Sequence, residues 1–373
     1  MKKNKFSKKV EDSFLKNNEY IFKKYKPINK IGKGSFGNVY LTKRIKDEKL
    51  FAMKTEEKNL KSKSLEAEAY FLYTIQGFGI PKFISYGRIK NYNILIETLL
   101  DKNLIELMKN QKKLSIKDVC LIGIQILDRL EWIHSKNIVY RDIKPENFLI
   151  GKDDPNVIYI IDFGLCKKYR SSKTGKHILP RMTKFISGTI KYGSIHTLRG
   201  KESSRRDDLI SLGYMLIYLY KGSLPWDIKM IEFNYQIFRK ILYLKSTNSN
   251  GNLFVDLPME FKEYINYNNN LKFEQEPDYK YLHSLFNKIL FGLKFDYKNM
   301  SFSWISSTQI NLFGIQRNSS WRKSNSQSRL FKKIIQKSKE RARTKSVSIE
   351  KELKNNFLIL EIFIIIIQMI KLK

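Results

Sequence analysis

Three glycines in Ile31-Gly32-Lys33-Gly34-Ser35-Phe36-Gly37-Asn38-Val39 stand between two apolar segments. With no Cβ to block the approach, such a loop can close over phosphates and turn its N–H groups toward them. Alone it is a weak sign, because many GxGxxG matches are turns or open a helix in a dinucleotide-binding fold. Here the chain runs on into strand-like residues, which disfavours the dinucleotide case. Ala52-Met53-Lys54 follows on the next strand-like segment, with Glu68 on the helical stretch after it. A buried ammonium needs a counter-ion, and Lys54 paired with Glu68 would sit on the α- and β-phosphates of a nucleotide. Glu66 is the rival partner; Glu68 is preferred because Leu65 and Leu72 place it beside the apolar face. An isolated pair of this kind would more simply be a surface lysine and a solvated glutamate.

The densest cluster is Tyr140-Arg141-Asp142-Ile143-Lys144-Pro145-Glu146-Asn147, with Ile161-Asp162-Phe163-Gly164 fifteen residues on. Asp142 would accept or orient the proton of an attacking hydroxyl, and Lys144 would neutralise a transferring phosphoryl group. Asn147 and Asp162 would hold Mg²⁺ between the phosphates. Phosphoryl transfer needs position and charge neutralisation more than covalent chemistry, which is what this set of cations, carboxylates and amide supplies. The order glycine loop, lysine, RDxKxxN and DFG leaves little room for coincidence.

The elements that must position these groups follow from periodicity. Tyr25–Leu41 and Leu50–Lys54 alternate like strands, Leu60–Ile75 has helical spacing, and Tyr92–Leu100 is β-rich. Beyond Leu114 the pattern is mainly helical, with apolar residues at i, i+3, i+4 in Asp118–His134, Asp208–Tyr220 and Tyr279–Leu290. The expectation is an α+β chain with a small β-rich lobe followed by a larger helical lobe.

These motifs resemble a eukaryotic protein kinase, and Lys144, two residues after Asp142, is similar to the serine/threonine class. The activation segment usually closes on Ala-Pro-Glu. This chain instead has Gly188-Thr-Ile-Lys-Tyr-Gly-Ser194-Ile195-His196-Thr-Leu, then Ser204-Arg205-Arg206-Asp207-Asp208-Leu209 and Gly222-Ser-Leu-Pro-Trp226. With Lys176-His177-Ile178 before and Pro277-Asp278-Tyr279 after, the run closely resembles the casein kinase 1 family over about residues 26–304. The resemblance implies a bilobal protein-kinase fold, N-lobe about 26–99 and C-lobe about 100–304, that transfers the γ-phosphoryl group of ATP to Ser/Thr of protein substrates. ATP and Mg²⁺ would lie in the cleft against Ile31, Gly32, Gly34, Ser35, Phe36, Gly37, Val39, Ala52, Lys54, Glu68 and Leu100. Asp208 matches the helix residue that hydrogen-bonds the catalytic-loop backbone, and an N-cap role at the helix start is the plainer alternative. Tyr140 stands where most kinases have His, as in some members of the family.

Two positions depart from the family pattern. The family binds a phosphate or acidic group with two basic residues. The first maps to Lys191, normally Arg, which lacks the bidentate fork. The second falls near Ile237, where no cation occurs until Arg239 and Lys240. A preference for primed over merely acidic substrates is therefore open. Ungapped alignment of Tyr92–Leu100 puts Glu97 at an apolar gatekeeper position, where a carboxylate is costly unless paired; a one-residue shift explains the sequence equally well. A non-catalytic kinase-fold scaffold is the competing function, although Lys54, Asp142 and Asp162 are all present.

Charge and composition bound the partners. The 373 residues carry a formal net charge of +34, which predicts attraction to something anionic, with compositional bias as the alternative source. Residues 1–26 hold +6 and 305–373 hold +11 of it, so half lies on the kinase-like body. Residues 1–25 read as a basic arm, 305–356 as a basic Ser-rich tail expected to be disordered, and 357–370 as a short apolar segment. Fourteen residues make a helix of about 21 Å, too short to span a bilayer, but peripheral membrane contact would suit a basic tail with an apolar end. Docking on the protein and a gene-model artefact are the other readings of that segment. Tail serines Ser319, Ser320, Ser324, Ser326, Ser328, Ser346 and Ser348 are expected autophosphorylation sites by the same resemblance. Arg341–Lys345 reads as a nuclear-import signal or a solvated run. No nucleic-acid motif is present, so a nucleic-acid partner is not expected. With only Cys120 and Cys166, there is neither a disulfide framework nor a CxxC metal spacing. The start of the chain lacks a secretory apolar core and has Lys2 where myristoylation needs Gly. The expectation is a monomer in a reducing, cytoplasmic compartment, with nuclear or membrane-associated pools left open.

Overall fold

The structure is a computed structural model that describes residues 14, 20–34, 37–57, 64–109, 112–228, 234–247, 252–295 and 301–305. These fall in one unit, Met1–Ile305. The tail serines, Arg341–Lys345 and the apolar segment 357–370 lie outside the described residues.

The first part is a five-stranded antiparallel sheet of β1 (Tyr25–Lys33), β2 (Asn38–Arg44), β3 (Leu50–Glu57), β4 (Phe83–Ile89) and β5 (Tyr92–Thr98), in the order β1-β2-β3-β5-β4. Helix α1 (Ser64–Thr74) crosses between β3 and β4 and buries Leu65, Ala69 and Leu72. Strand alternation divides the sheet into two faces. Tyr40, Phe51, Met53, Ile94 and Ile96 form the outer core, and Ala52, Lys54 and Glu97 share the other face. An apolar outer face must be covered, and residues from the expected basic arm do so. Phe14, 3% exposed, stacks on Tyr40 at 4.9 Å and meets Tyr92 edge-on, and Ile21 is fully buried beside them. Two apolar residues of the expected basic arm thus belong to the core of the sheet.

The second part is helical: α2 (Leu104–Met108), α3 (Ile116–Ser135), α4 (Ile195–Leu198), α5 (Arg205–Lys221), α6 (Tyr235–Thr247), α7 (Met259–Asn270) and α8 (Tyr279–Gly292). Helix α3 is buried along most of its length and packs against α5 and α8. Its start is set by Ser115, whose Oγ accepts from the Asp118 N–H at 3.1 Å. Short strands β6 (Ile138–Val139), β7 (Phe148–Ile150), β8 (Ile158–Ile160) and β9 (Lys167–Lys168) bracket the loops that carry Asp142 and Asp162. Helix α5 begins three residues earlier than its apolar pattern suggests. Ser204 caps it, with Asp207 returning to the Ser204 N–H at 2.8 Å, and Gly222 at φ +81° ends it. Asp208 is thus not the cap and is free for another task. The mixed α+β, two-lobed outline matches the sequence expectation. Among the described residues, no helix is long and apolar enough to cross a membrane.

Candidate active site

The glycine loop joins β1 to β2. The Gly34 N–H donates to the Gly37 carbonyl at 2.8 Å, closing the turn. A Cβ on Gly37 would lie 1.8 Å from the Thr55 carbonyl oxygen, so this close approach of β2 to β3 admits only glycine. Gly32 and Lys54 are the two cross-strand partners of Val39, which sets Val39 between loop and lysine. Ile31 is largely exposed on β1 and Ala52 is buried on β3. Ser35 and Phe36 lie outside the described residues. Leu100 is half-buried just past the end of β5.

Lys54 Nζ meets Glu68 Oε1 at 2.5 Å and Glu97 Oε1 at 3.0 Å. The expected Lys54–Glu68 pair is therefore formed, whereas Glu66 faces Arg88 instead, at 3.6 Å. Strand register places Glu97 opposite Ala52, on the face of the sheet that carries Lys54, and its carboxylate is stabilised by Lys54. Burial alone would lower the Lys54 pKa, but Glu68, Glu97 and Asp162 together raise it, so the ammonium keeps its charge. Burial, with Asp162 and Glu97 nearby, outweighs Lys54 and pushes the Glu68 carboxyl up to about 7. Between its unfolded value of 4.5 and about 7, the folded chain holds a proton there that the unfolded chain has released. This stability is full below 4.5 and is lost as pH rises through 7. The melting temperature of the wild type should therefore fall relative to Glu68→Gln between pH 5 and 8. Parallel thermal-melt curves for the two proteins would contradict this.

The catalytic loop is held from below. Asp208 Oδ1 accepts from the Arg141 N–H at 2.7 Å, and Oδ2 accepts from the Tyr140 N–H at 2.8 Å. The same Oδ2 lies 2.8 Å from His134 Nε2, while His134 Nδ1 lies 2.5 Å from the Tyr279 hydroxyl. Asp208 thus hydrogen-bonds the backbone of the two residues before Asp142. Arg141 and Asp162 have φ of +72° and +61°. Left-handed backbone at non-glycine residues costs roughly 1–3 kcal/mol each and persists only where surroundings enforce it. Tyr140 fills the usual histidine place, its hydroxyl donating to the Ile161 carbonyl at 2.5 Å and its ring set edge-on to Phe163.

Asp142 is buried, and its carboxylate is oriented by three donors. Oδ2 accepts from Lys144 Nζ at 2.7 Å and Asn147 Nδ2 at 2.9 Å, and Oδ1 from Thr189 Oγ1 at 3.2 Å. Thr189 was not foreseen, because nothing in the sequence spacing ties it to Asp142. Its neighbour Gly188 has φ +81°, and a Cβ there would stand 2.4 Å from the Arg141 carbonyl oxygen. Glycine is therefore what lets the activation segment lie against the catalytic loop. Farther along, buried Glu202 draws Lys167 (2.7 Å), Arg181 (2.9 Å) and Arg141 (3.9 Å) together, tying that segment to the loop with an internal carboxylate.

Asn147 and Asp162 lie on adjoining segments, joined by the Ile161 N–H donating to the Asn147 carbonyl at 3.0 Å. Asn147 uses its amide nitrogen on Asp142, which leaves its carbonyl oxygen for a cation. With the Asp162 carboxylate, this gives the hard oxygen donors Mg²⁺ takes, phosphates supplying the remainder. The donor set fits the ion.

The expected anion site is altered. Lys191 Nζ pairs with Asp227 at 2.5 Å and lies 3.8 Å over the Tyr218 ring. The lysine is therefore already neutralised by a carboxylate of its own chain. Ile237 lies on α6, and Arg239 and Lys240 beside it are exposed. The cation that α6 does send to this region is Lys245, fully buried. It donates to the carbonyls of Lys191 (3.0 Å) and Gly193 (2.6 Å) between the rings of Tyr214 and Trp226. Lys245 fixes backbone and presents no charge to a substrate.

The fold and this cleft define a phosphoryl-transfer enzyme architecture. A family model described as a protein kinase domain matches residues 25–358, and the chain belongs to the protein kinase family. The match starts at β1 and runs past the expected boundary at 304. Membership carries the use of ATP, a divalent metal and protein substrates in general.

Proposed function

We propose that the chain is a serine/threonine protein kinase of casein kinase 1 type that uses Mg²⁺ and ATP and acts on proteins with acidic surroundings at the acceptor. The observation that carries this reading is the Asp142 carboxylate, aimed by Lys144, Asn147 and Thr189. The γ-phosphorus bonds to the acceptor hydroxyl oxygen as its bond to the bridging β-phosphate oxygen breaks, and ADP leaves. Asp142 orients the hydroxyl and takes its proton, Lys144 offsets charge on the transferring group, and Lys54 holds the α- and β-phosphates. Asn147 and Asp162 would hold Mg²⁺, which would supply charge neutralisation. The casein kinase 1 type rests on the run Gly188–Leu198 with Ser204–Leu209. An acidic peptide series with Ser, Thr or Tyr as the sole acceptor tests it. Ser and Thr should be phosphorylated, with EDTA abolishing transfer, and a Tyr-only product would overturn it.

The Lys191–Asp227 pair bears on substrate choice. A phosphate on the substrate has to displace a carboxylate, so acidic peptides with and without a priming phosphate should differ by less than about threefold in kcat/KM. Asp227→Asn frees Lys191 and should raise the primed-to-unprimed ratio by about tenfold. A strong priming preference in the wild type, unchanged by Asp227→Asn, would contradict this.

A further inference from the structure

Glu97 is an expensive residue where it stands. It is 3% exposed on β5, an inner strand hydrogen-bonded to β3 on one side and β4 on the other. Its Oε1 meets Lys54 Nζ at 3.0 Å, and its Oε2 is buried with no hydrogen-bond partner. Burying a carboxylate costs several kcal/mol unless it is paired, and an apolar side chain would avoid that cost. Among the described residues, the charged partner of Glu97 is the lysine that Glu68 also holds, from the opposite element α1, at 2.5 Å. Glu68 rides on a helix packed on the sheet by one face, whereas Glu97 belongs to the sheet itself, two strand positions of the β3–β5 ladder from Lys54. Lys54 is therefore held by two carboxylates on independently supported elements.

We propose that Glu97 is a positioning residue for Lys54: a second, strand-borne counter-ion that keeps the phosphate-binding ammonium in the cleft when Glu68 does not hold it. The inference rests on the reading of Lys54 as the amine that binds nucleotide phosphates. Its consequence is that placement of the lysine is uncoupled from the position of α1. A shift of that helix, which would release a lysine with one counter-ion, leaves this one anchored.

The test is a double-mutant cycle on the full chain, with kcat and KM for ATP measured on an acidic Ser peptide. Glu68→Gln and Glu97→Gln should each lower kcat/KM by no more than about tenfold, mainly through KM. The double variant should lose at least about tenfold more than the product of the two, a coupling of about 1.4 kcal/mol. In the Glu68→Gln background, Glu97→Asp, which keeps the charge, should restore at least about tenfold over Glu97→Gln. That rescue separates a counter-ion from a packing role, and thermal melts of each variant check folding. Glu68→Gln as inactive as the double, multiplicative single effects, or no rescue by Asp would each overturn the proposal while leaving the kinase assignment intact. An inactive wild type would instead overturn that assignment, and the proposal with it.

Discussion

Asp142→Asn should lower kcat for phosphoryl transfer by about 10³-fold while changing KM for ATP little. The size follows from what the carboxylate does and what asparagine retains. Asp142 Oδ2 accepts from Lys144 and Asn147, and Oδ1 from Thr189. The amide keeps the shape and one acceptor oxygen but cannot take a proton from an acceptor hydroxyl. Its NH₂ must also face groups that themselves donate, which turns the side chain or expels Lys144. Nucleotide phosphates are addressed by Lys54 and the glycine loop, which the substitution does not touch, so the loss belongs to kcat. Steady-state kinetics with a thermal melt of the variant measures this. A kcat within tenfold of wild type would mean that Asp142 neither takes nor aims the proton.

Asp208→Ala has the largest expected effect on stability. The carboxylate accepts from two backbone N–H groups, those of Tyr140 and Arg141, and contacts His134, all within 2.8 Å, with the Tyr140 and His134 contacts buried. Alanine leaves these groups without the acceptor and creates a void too polar to collapse well. At roughly 1–3 kcal/mol for each buried unsatisfied group, the loss is about 3–5 kcal/mol. For a domain of this size that is a fall in melting temperature on the order of 10 °C. Activity should fall too, because Arg141 at φ +72° has lost the group that holds it, and the loop carrying Asp142 relaxes. Asp208→Asn keeps one acceptor oxygen and should fall between. Differential scanning calorimetry of the three proteins tests the order, and an alanine variant melting with the wild type would contradict it.

The parts legible in the sequence are those in which chemistry and spacing coincide. Lys54 with Glu68, the Asp142–Asn147 loop, Asp162 and Asp208 each belong to a short motif, and helix or strand period sets which way each points. Glu68 could be chosen over Glu66 from Leu65 and Leu72 alone. Glu97 was ambiguous because a one-residue slip in a strand reverses its face, and only the pairing with Ala52 fixes it. Thr189, Asp227 and Lys245 were not legible. Their roles arise from contacts across 47, 36 and 54 residues of chain, made by side chains with no distinguishing local pattern. Lys191 shows the cost of inferring a site from charge: the cation is present, but Asp227 already occupies it. Phe14 and Ile21 sit among lysines that dominate the composition of residues 1–25, and the face they cover is invisible until the sheet exists.

Several cations around the cleft are paired with carboxylates of the chain itself. Lys167, Arg141 and Arg181 converge on Glu202, Lys54 on Glu68 and Glu97, and Lys191 on Asp227. These cations tie together the loops around the cleft. Arg239 and Lys240 on α6 are left exposed.

The transfer proposed for this cleft is that of the γ-phosphoryl group of ATP onto a protein hydroxyl. Its most direct measurement is the ratio of phosphopeptide formed to ADP released when the wild-type chain is incubated with Mg²⁺, γ-labelled ATP and an acidic Ser peptide. A ratio near one, with label on the serine, is the expected result. ADP release without labelled peptide, or no turnover of ATP at all, would contradict it.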